Sequence, residues 1–322
     1  MTFQEFVDKY QKVPVEEYQN NVLEKVPNPI VSCRVSTYQH APYIKQCLDG
    51  ILMQKTNFPF EIVIGEDESS DGTREICIEY ADKYPDIIRL FLHKRENNIL
   101  IDERPSAKFQ GTYTMYKLRG KYYAICEGDD YWTDPLKLQK QVDFLEKNSR
   151  YVGVGCFYNI IEEFDGNIVF KDLSGNEEFR SVSFNDYLKK GSNGIRTLTT
   201  VYRSDAIRKV VQKISMVQTT RAAGDVLLVS NLLKYEGDIC LLPFNGAVYR
   251  KHVNGMCAGL IKNKSLMRKQ HFYNYGGVMK TVLTSKEQKL NYWIQNFKLT
   301  IRSDIANLRF RFIVRDFLLI FI

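Results

Sequence analysis

The sequence predicts an α/β fold in which a mostly parallel sheet is flanked by helices, and three observations predict it. From residue 30 onward, short apolar runs rich in Val, Ile and aromatic residues alternate with longer amphipathic stretches, the order expected of strands that alternate with helices. Three of the apolar runs end directly in polar clusters, which is where open α/β sheets carry their ligands. The chain has 322 residues, 44% hydrophobic and 26% charged, enough apolar surface for a sizeable core. One main domain with an appendage fits this length better than three domains.

Taken in order, IVSCRVSTY (30–38) reads as a buried strand and APYIKQCLDGILMQ (41–54) as a helix with Pro42 in its first turn. FEIVIGED (60–67) is the second strand, residues 72–84 are helical, and IIRLFLH (87–93) is the third strand. A further helix is expected over 106–119, before the strand YYAIC (122–126). The polar break EGDDYW (127–132) leads into Pro135 and the helix LKLQKQVDFLEKN, whose Leu138, Val142 and Leu145 share one face. The second half is less regular, with a strand near 152–158, a loop over 172–178, a strand TLTTVYR (197–203) and a helix after Gly224. No internal repeat is present. From about residue 260 the pattern turns helical and basic and ends in LRFRFIVRDFLLIFI (308–322), in which eleven of fifteen residues are apolar, too short a helix to span a bilayer. The expected division is an extension over 1–29, a main domain over 30–258 split near 148, and a C-terminal extension over 259–322.

The net charge of +7 is spread along the chain without dense Lys/Arg runs, which argues against nucleic acid as a partner. The seven cysteines are scattered and form no CxxC pair, so reduced, mostly buried thiols are expected in place of a zinc site. The start, MTFQEFVDKYQK, carries acids within its first eight residues and no signal-peptide stretch, so a cytosolic location is expected.

The polar clusters are the first candidates for a site: Ser36, Thr37 and Tyr38; GEDESSDGT (65–73); and EGDDYW. Asp129 and Asp130 follow an apolar strand and a glycine, an arrangement that can bind a divalent cation and, through it, a diphosphate; carboxylate oxygens imply Mg²⁺ or Mn²⁺. The same doublet can equally be a turn that caps the next helix. Asp67 and Asp71 flank Ser69, Ser70 and Gly72, supplying acceptors for a base edge or a ribose, or an ordinary turn and helix cap.

TYQHAPYIKQCLDGIL, EIVIGEDESSDGT and ICEGDDYWTDPLKLQKQVDFLE together resemble, in order and spacing, the successive motifs of family 2 glycosyltransferases of GT-A fold, over roughly residues 30–148. The resemblance implies inverting transfer of a sugar from a nucleoside-diphosphate donor, with a uracil or thymine base, to a saccharide or lipid-linked hydroxyl, in surface polysaccharide or glycolipid assembly. By that resemblance Thr37, Tyr38, Glu66 and Asp67 would lie against the nucleoside, with Asp67 at the base, and Asp129 and Asp130 would be the DXD-type carboxylates at ribose and metal. Glu66 departs from the family's more usual aspartate, and Glu127 stands where many members carry the first aspartate of the DXD. Whether the metal meets Glu127 with Asp129 or Asp130 alone stays open.

Downstream, Gly224-Asp225 and GAVYRKHVNG (246–255) are similar to the family's GD and YRxHxxG elements. The resemblance makes Asp225 the general base and His252 a ligand of metal or diphosphate; N-capping of VLLVSNLLKY and ordinary packing are the structural alternatives. Trp132, beside the acidic loop, can stack on a sugar ring or belong to the core. Arg196, Thr199 and Arg203 either line the acceptor cleft or form an exposed strand face. The C-terminal apolar stretch can dock on the inner face of an anionic membrane, or bury against the domain or a second subunit.

Two other classes compete. A sugar-phosphate nucleotidyltransferase would need a glycine-rich phosphate loop, and STYQHAPY contains no glycine. A non-catalytic carbohydrate-binding or assembly protein could share the fold, but it would have no need of the acidic doublet.

Overall fold

The computed structural model of the chain describes residues 1–255 except 102, 176, 191–193 and 214–221, together with 270, 274, 277–278, 282–290 and 292. Most of the expected C-terminal extension, the stretch 308–322 and Cys257 lie outside the described residues.

A short helix, α1 (Phe3–Tyr10), opens the chain. Thr2 and Glu5 form a reciprocal capping box, with Glu5 N–H donating to Thr2 Oγ1 at 3.2 Å and Thr2 N–H to the Glu5 carboxylate at 2.8 Å. Phe6 stacks on Phe109 with ring centroids 5.2 Å apart, so the N-terminal segment is part of the core. There follow β1 (Glu16–Glu17) and α2 (Val22–Lys25), then the alternation that the sequence predicts: β2 (Val31–Thr37), α3 (Ile44–Leu52), β3 (Phe60–Glu66), α4 (Thr73–Lys83) and β4 (Ile88–Leu92). A small hairpin, β5 (Ile99–Ile101) and β6 (Arg104–Ser106), precedes α5 (Lys108–Tyr116), β7 (Tyr122–Glu127), β8 (Tyr131–Trp132) and α6 (Lys137–Lys147). Pro42 stands in the turn before α3, one residue short of its N-cap.

The second half adds β9 (Tyr151–Phe164), β10 (Asn167–Lys171), β11 (Arg180–Val182), α7 (Phe184–Lys190), β12 (Val201–Arg203), α8 (Ser204–Lys213), α9 (Gly224–Tyr235) and β13 (Asp238–His252). These strands join the earlier ones in one sheet with the path β1-β4-β3-β2-β7-β12-β9-β13-β11, with β10 on β9 and β8 on β13 beside it, while β5 and β6 pair separately. β4, β3, β2 and β7 are mutually parallel. Beyond β7 the sheet is mixed, because β12 runs antiparallel between β7 and β9 while β9 and β13 pair in parallel. TLTTVYR is only partly strand: Thr197–Thr199 form a 3-10 turn, leaving three residues to fill the gap.

Every residue of β3 and β4 is buried, as strands covered by helices on both faces must be. Alternation sends Val63 into one core layer with Phe6, Phe91 and Phe109, and Ile62 and Ile64 into the other with Val35, Leu48 and Leu90. The six described cysteines are all buried thiols. No described helix is long and apolar enough to cross a membrane.

One buried charge cluster fixes the sheet end remote from the strand C-termini. The Glu61 carboxylate, with no exposure, accepts from Ser32 Oγ at 2.6 Å and from Arg119 at 2.7 and 3.1 Å, with the Arg89 guanidinium at 3.7 Å. Arg119 also caps the Val26 and Pro27 carbonyls, which ties the segment before β2 to β3. Glu61→Leu leaves the Arg119 guanidinium without its carboxylate, while Arg89 keeps Glu17, and is expected to cost about 3–5 kcal/mol, read as a lowered urea midpoint with unchanged denaturant slope.

Candidate active site

Parallel pairing brings the strand ends into line. Thr37 lies opposite Glu66, Ser36 opposite Glu127, and Glu66 opposite Leu92, so the polar clusters that follow share one edge of the sheet.

On the β3 side, Asp67 is buried, and its backbone N–H donates to the Thr37 carbonyl at 3.1 Å. Its Oδ2 accepts from Arg95 Nη1 and Asn98 Nδ2, each at 3.0 Å, while Oδ1 has no partner. Burial raises its pKa, against the lowering by Asn98 and Arg95. The Arg95 guanidinium lies 3.9 Å from the ring centroid of Tyr38, which leaves Tyr38 39% exposed at the mouth. These contacts set an aromatic ring, a guanidinium and a buried carboxylate side by side beyond the ends of β2, β3 and β4. Arg95 and Asn98 follow β4 in the 3-10 turn Arg95–Asn97, a segment that the strand-end rule reaches but that the sequence reading passed over.

Glu66 faces the other way. It pairs with Arg74 and accepts from Ser69 N–H at 2.7 Å and Glu68 N–H at 3.2 Å, so it shapes the loop and offers no free edge to a nucleoside. The two loops are laced together: Gln39 N–H donates to Ser69 Oγ, His40 N–H to Thr73 Oγ1, and Ala41 N–H to Asp71 Oδ2. Gln39 and Glu68 both adopt left-handed backbone, at φ 56° and 59°. Asp71 also accepts from Thr73 N–H and Oγ1, serving the start of α4.

On the β7 side the acidic doublet divides. Asp130 is buried and accepts the backbone N–H of Arg250 at 2.8 Å; burial and then the neighbouring Asp129 charge push its carboxyl well above the usual range. Asp129 instead meets His252, whose Nε2 lies 3.1 Å from Oδ2, and His40, whose Nε2 lies 4.0 Å from the same oxygen. Burial raises the Asp129 carboxyl, but the His252 hydrogen bond and the two imidazoles outweigh it and hold the pKa below its ordinary value. His40, Asp129 and His252 present ligand atoms within 4.8 Å of one another, the one such cluster among the described residues. Two imidazoles and a carboxylate fit a divalent cation, and the buried His252 Nδ1 has no partner.

The expected metal set of Glu127, Asp130 and His252 is therefore rearranged. Of these only His252 lies in the cluster; Asp130 accepts the Arg250 N–H of β13, and burial raises the Glu127 carboxyl against the lowering by Arg34. Arg250 braces the loop. Its Nε donates to the Asp129 carbonyl at 3.0 Å and its Nη2 to Gln46 at 2.6 Å, and Nη1 pairs with Glu163. Tyr43 packs on His252 with ring centroids 4.6 Å apart.

Asp225 is exposed in the first turn of α9, where its Oδ1 accepts only its neighbour's N–H, that of Val226, at 2.8 Å. The residue preceding the helix is Ala223, so Asp225 is not the N-cap. Arg196, also exposed, donates to Tyr158 Oη at 3.0 Å and sits 5.8 Å from the ring centroids of Tyr158 and Tyr249. Two sequence expectations are corrected. Trp132 is 1% exposed, donates its indole N–H to the Leu198 carbonyl at 2.8 Å and lies over the Lys137 ammonium, so it has no face for a sugar. Arg203 donates to the Tyr151, Leu145 and Asn148 carbonyls, closing the end of α6. Thr199 is likewise buried.

A large mixed sheet flanked by helices, with the polar ends of β2, β3 and β7 on one edge, is the GT-A type of α/β fold. Residues 32–100 match the model of Glycosyl transferase family 2, and the chain belongs to that family. It is 35% identical over 228 residues to an uncharacterized protein of Mycobacterium tuberculosis, covering 68% of this chain and 58% of that one, and so spans less than two thirds of that relative. Its fold matches S. aureus TarS 1-349 in complex with UDP-GlcNAc at TM-score 0.58 and 15% identity, over 83% of this chain and 72% of that chain. It also matches the mannosyltransferase PcManGT from Pyrobaculum calidifontis in complex with GDP-Man and Mn²⁺ at TM-score 0.56 and 15% identity, over 92% and 75%. At these identities the two structures establish a common fold.

Gly128 is where the halves of the site touch. A Cβ there would lie 2.7 Å from Thr37 Oγ1 and 2.8 Å from His40 Nδ1. Gly128→Ala is expected to cost about 1–3 kcal/mol by overpacking, measured by urea denaturation.

Proposed function

We propose that this chain transfers a sugar from a nucleoside-diphosphate donor to a hydroxyl of a saccharide or lipid-linked acceptor, with a divalent cation and with inversion. The observation that carries the reading is the pairing, along one sheet edge, of the Tyr38–Asp67–Arg95 group with the Asp129–His252 cluster two strands away. A base, a ribose and a diphosphate laid along that edge meet an aromatic face, a buried acceptor and a cation site in that order.

In this mechanism Tyr38 and Asp67 orient the base: the ring gives a stacking surface, and Asp67 Oδ1 accepts a base N–H. Thr37, under the loop, keeps the two halves in register through its carbonyl bond to Asp67 N–H. Asp129 and His252 would hold the cation, which supplies charge neutralisation for the departing diphosphate. Asp225 takes the proton from the acceptor hydroxyl as that oxygen bonds to the anomeric carbon from the face opposite the leaving diphosphate. Its exposed position on α9, with a described hydrogen bond only to the neighbouring Val226 N–H, supports that role. Arg196, packed with Tyr158 and Tyr249, is the acceptor-side candidate in place of Trp132 and Arg203.

The test is calorimetric titration of the full chain with UDP, dTDP, GDP and CDP in Mn²⁺, Mg²⁺ or EDTA. One diphosphate is expected to bind in a cation-dependent manner, and Asp129→Asn is expected to abolish that dependence. Asp225→Asn is expected to leave nucleotide binding within about twofold while lowering donor turnover about 10²–10⁴-fold. A well-folded chain that binds none of the four overturns the reading.

A further inference from the structure

We propose that His40 is a third protein ligand of the cation site, and that the resulting donor set of two imidazoles and one carboxylate selects a first-row transition cation over Mg²⁺. The inference rests on the reading above, that a divalent cation binds at Asp129 and His252.

Geometry comes first. The His40 and His252 Nε2 atoms both face the same oxygen, Asp129 Oδ2, at 4.0 and 3.1 Å, and the three ligand atoms lie within 4.8 Å of each other. Ligands at about 2.1 Å from a shared cation lie roughly 3–4 Å apart, so a shift of under about 1 Å seats all three. No backbone rearrangement is required.

His40 is also held for this purpose. Its Nδ1 lies 3.3 Å from Thr37 Oγ1, which occupies one ring nitrogen and leaves the other toward Asp129, the usual way in which an outer partner orients a ligating imidazole. Its backbone N–H is fixed by Thr73 Oγ1 at 2.8 Å, and the missing side chain of Gly128 leaves room for the ring. Among the described residues Asp129 is the only carboxylate within ion-pair distance of His40. A histidine that merely packed would not need its open nitrogen aimed at a carboxylate already in contact with a second histidine.

The chemistry sets the selectivity. Mg²⁺ prefers oxygen ligands and retains several waters, whereas imidazole binds first-row transition cations increasingly well from Mn²⁺ to Co²⁺. Had Glu127 and Asp130 faced the cation, the set would have been mostly oxygen and the preference weak. Because Asp130 is tied to Arg250 N–H, nitrogen makes up two of the three donors.

The experiment strips the full chain with EDTA and measures binding of Mn²⁺, Co²⁺ and Mg²⁺ alone, then with the nucleoside diphosphate that binds best. Wild type is expected to rank Co²⁺ > Mn²⁺ > Mg²⁺. His40→Ala and the size-preserving His40→Gln are expected to lose about tenfold or more in Mn²⁺ and Co²⁺ affinity with less than about threefold change for Mg²⁺. Spin-echo modulation of bound Mn²⁺ should report two imidazole nitrogens in wild type and one in either variant. An unchanged modulation pattern in folded variants, or Mg²⁺ binding as tight as Mn²⁺ in wild type, overturns the proposal and leaves the transferase reading intact. A folded wild-type chain that binds no cation overturns both.

Discussion

The parallel register of β2 between β3 and β7 is the constraint on which the site depends. Thr37 opposite Glu66 and Ser36 opposite Glu127 mean that each strand delivers its polar tail to the same edge. A slip of one residue would turn every side chain of β2 to the other face. The apolar layer that holds Val31, Cys33 and Val35 opposes it, since a slip would send Ser32, Arg34 and Ser36 into that layer. The core thus decides where Tyr38, Asp67 and Asp129 stand before any ligand contact is made.

Electrostatics along that edge follow a single pattern. Three buried carboxylates are partnered by a cation or a set of N–H donors: Glu66 by Arg74 and two backbone amides, Asp67 by Arg95 and Asn98, Asp130 by Arg250 N–H. Burying an acid without such partners would cost several kcal/mol, on the order of the whole stability of a domain. Asp129 differs, because its partners are two imidazoles that can exchange a proton for a cation. The distinction between the acids that build the site and the acid that serves it lies in the partner, since all four belong to the same two motifs.

That distinction explains what could be read from the sequence. β3 and β4 were legible because unbroken apolar runs between turn residues leave few alternatives, and α6 because Leu138, Val142 and Leu145 are spaced for one buried face. The second half was less so: β12 is three residues long, and β13 shifts register around Asn245 as it bends beside β9, features with no periodic signature. In the N-terminal segment the Thr2-x-x-Glu5 box was a readable helix signal that went unused. His40 was unreadable by spacing. It lies 89 residues before Asp129 in sequence, and only the adjacency of β2 and β7 brings them together. Trp132 failed for a related reason: proximity in sequence to Asp129 does not set the direction in which a side chain points.

The doublet itself shows why direction matters. Gly128 and Asp129 form a turn closed by Asp130 N–H donating to the Glu127 carbonyl at 2.9 Å, and the two carboxylates leave it in different directions: Asp129 meets His252, while Asp130 reaches the β13 backbone. The second aspartate therefore acts as a clasp between β7 and β13, and its raised pKa follows from burial and the charge of Asp129. The clasp also fixes the site's other half. Arg250, held by Asp130 at its N–H and gripping the Asp129 carbonyl with its guanidinium, stands two residues before His252. One carboxylate thereby positions both the ligand beside it in sequence and the ligand that faces it from the far strand.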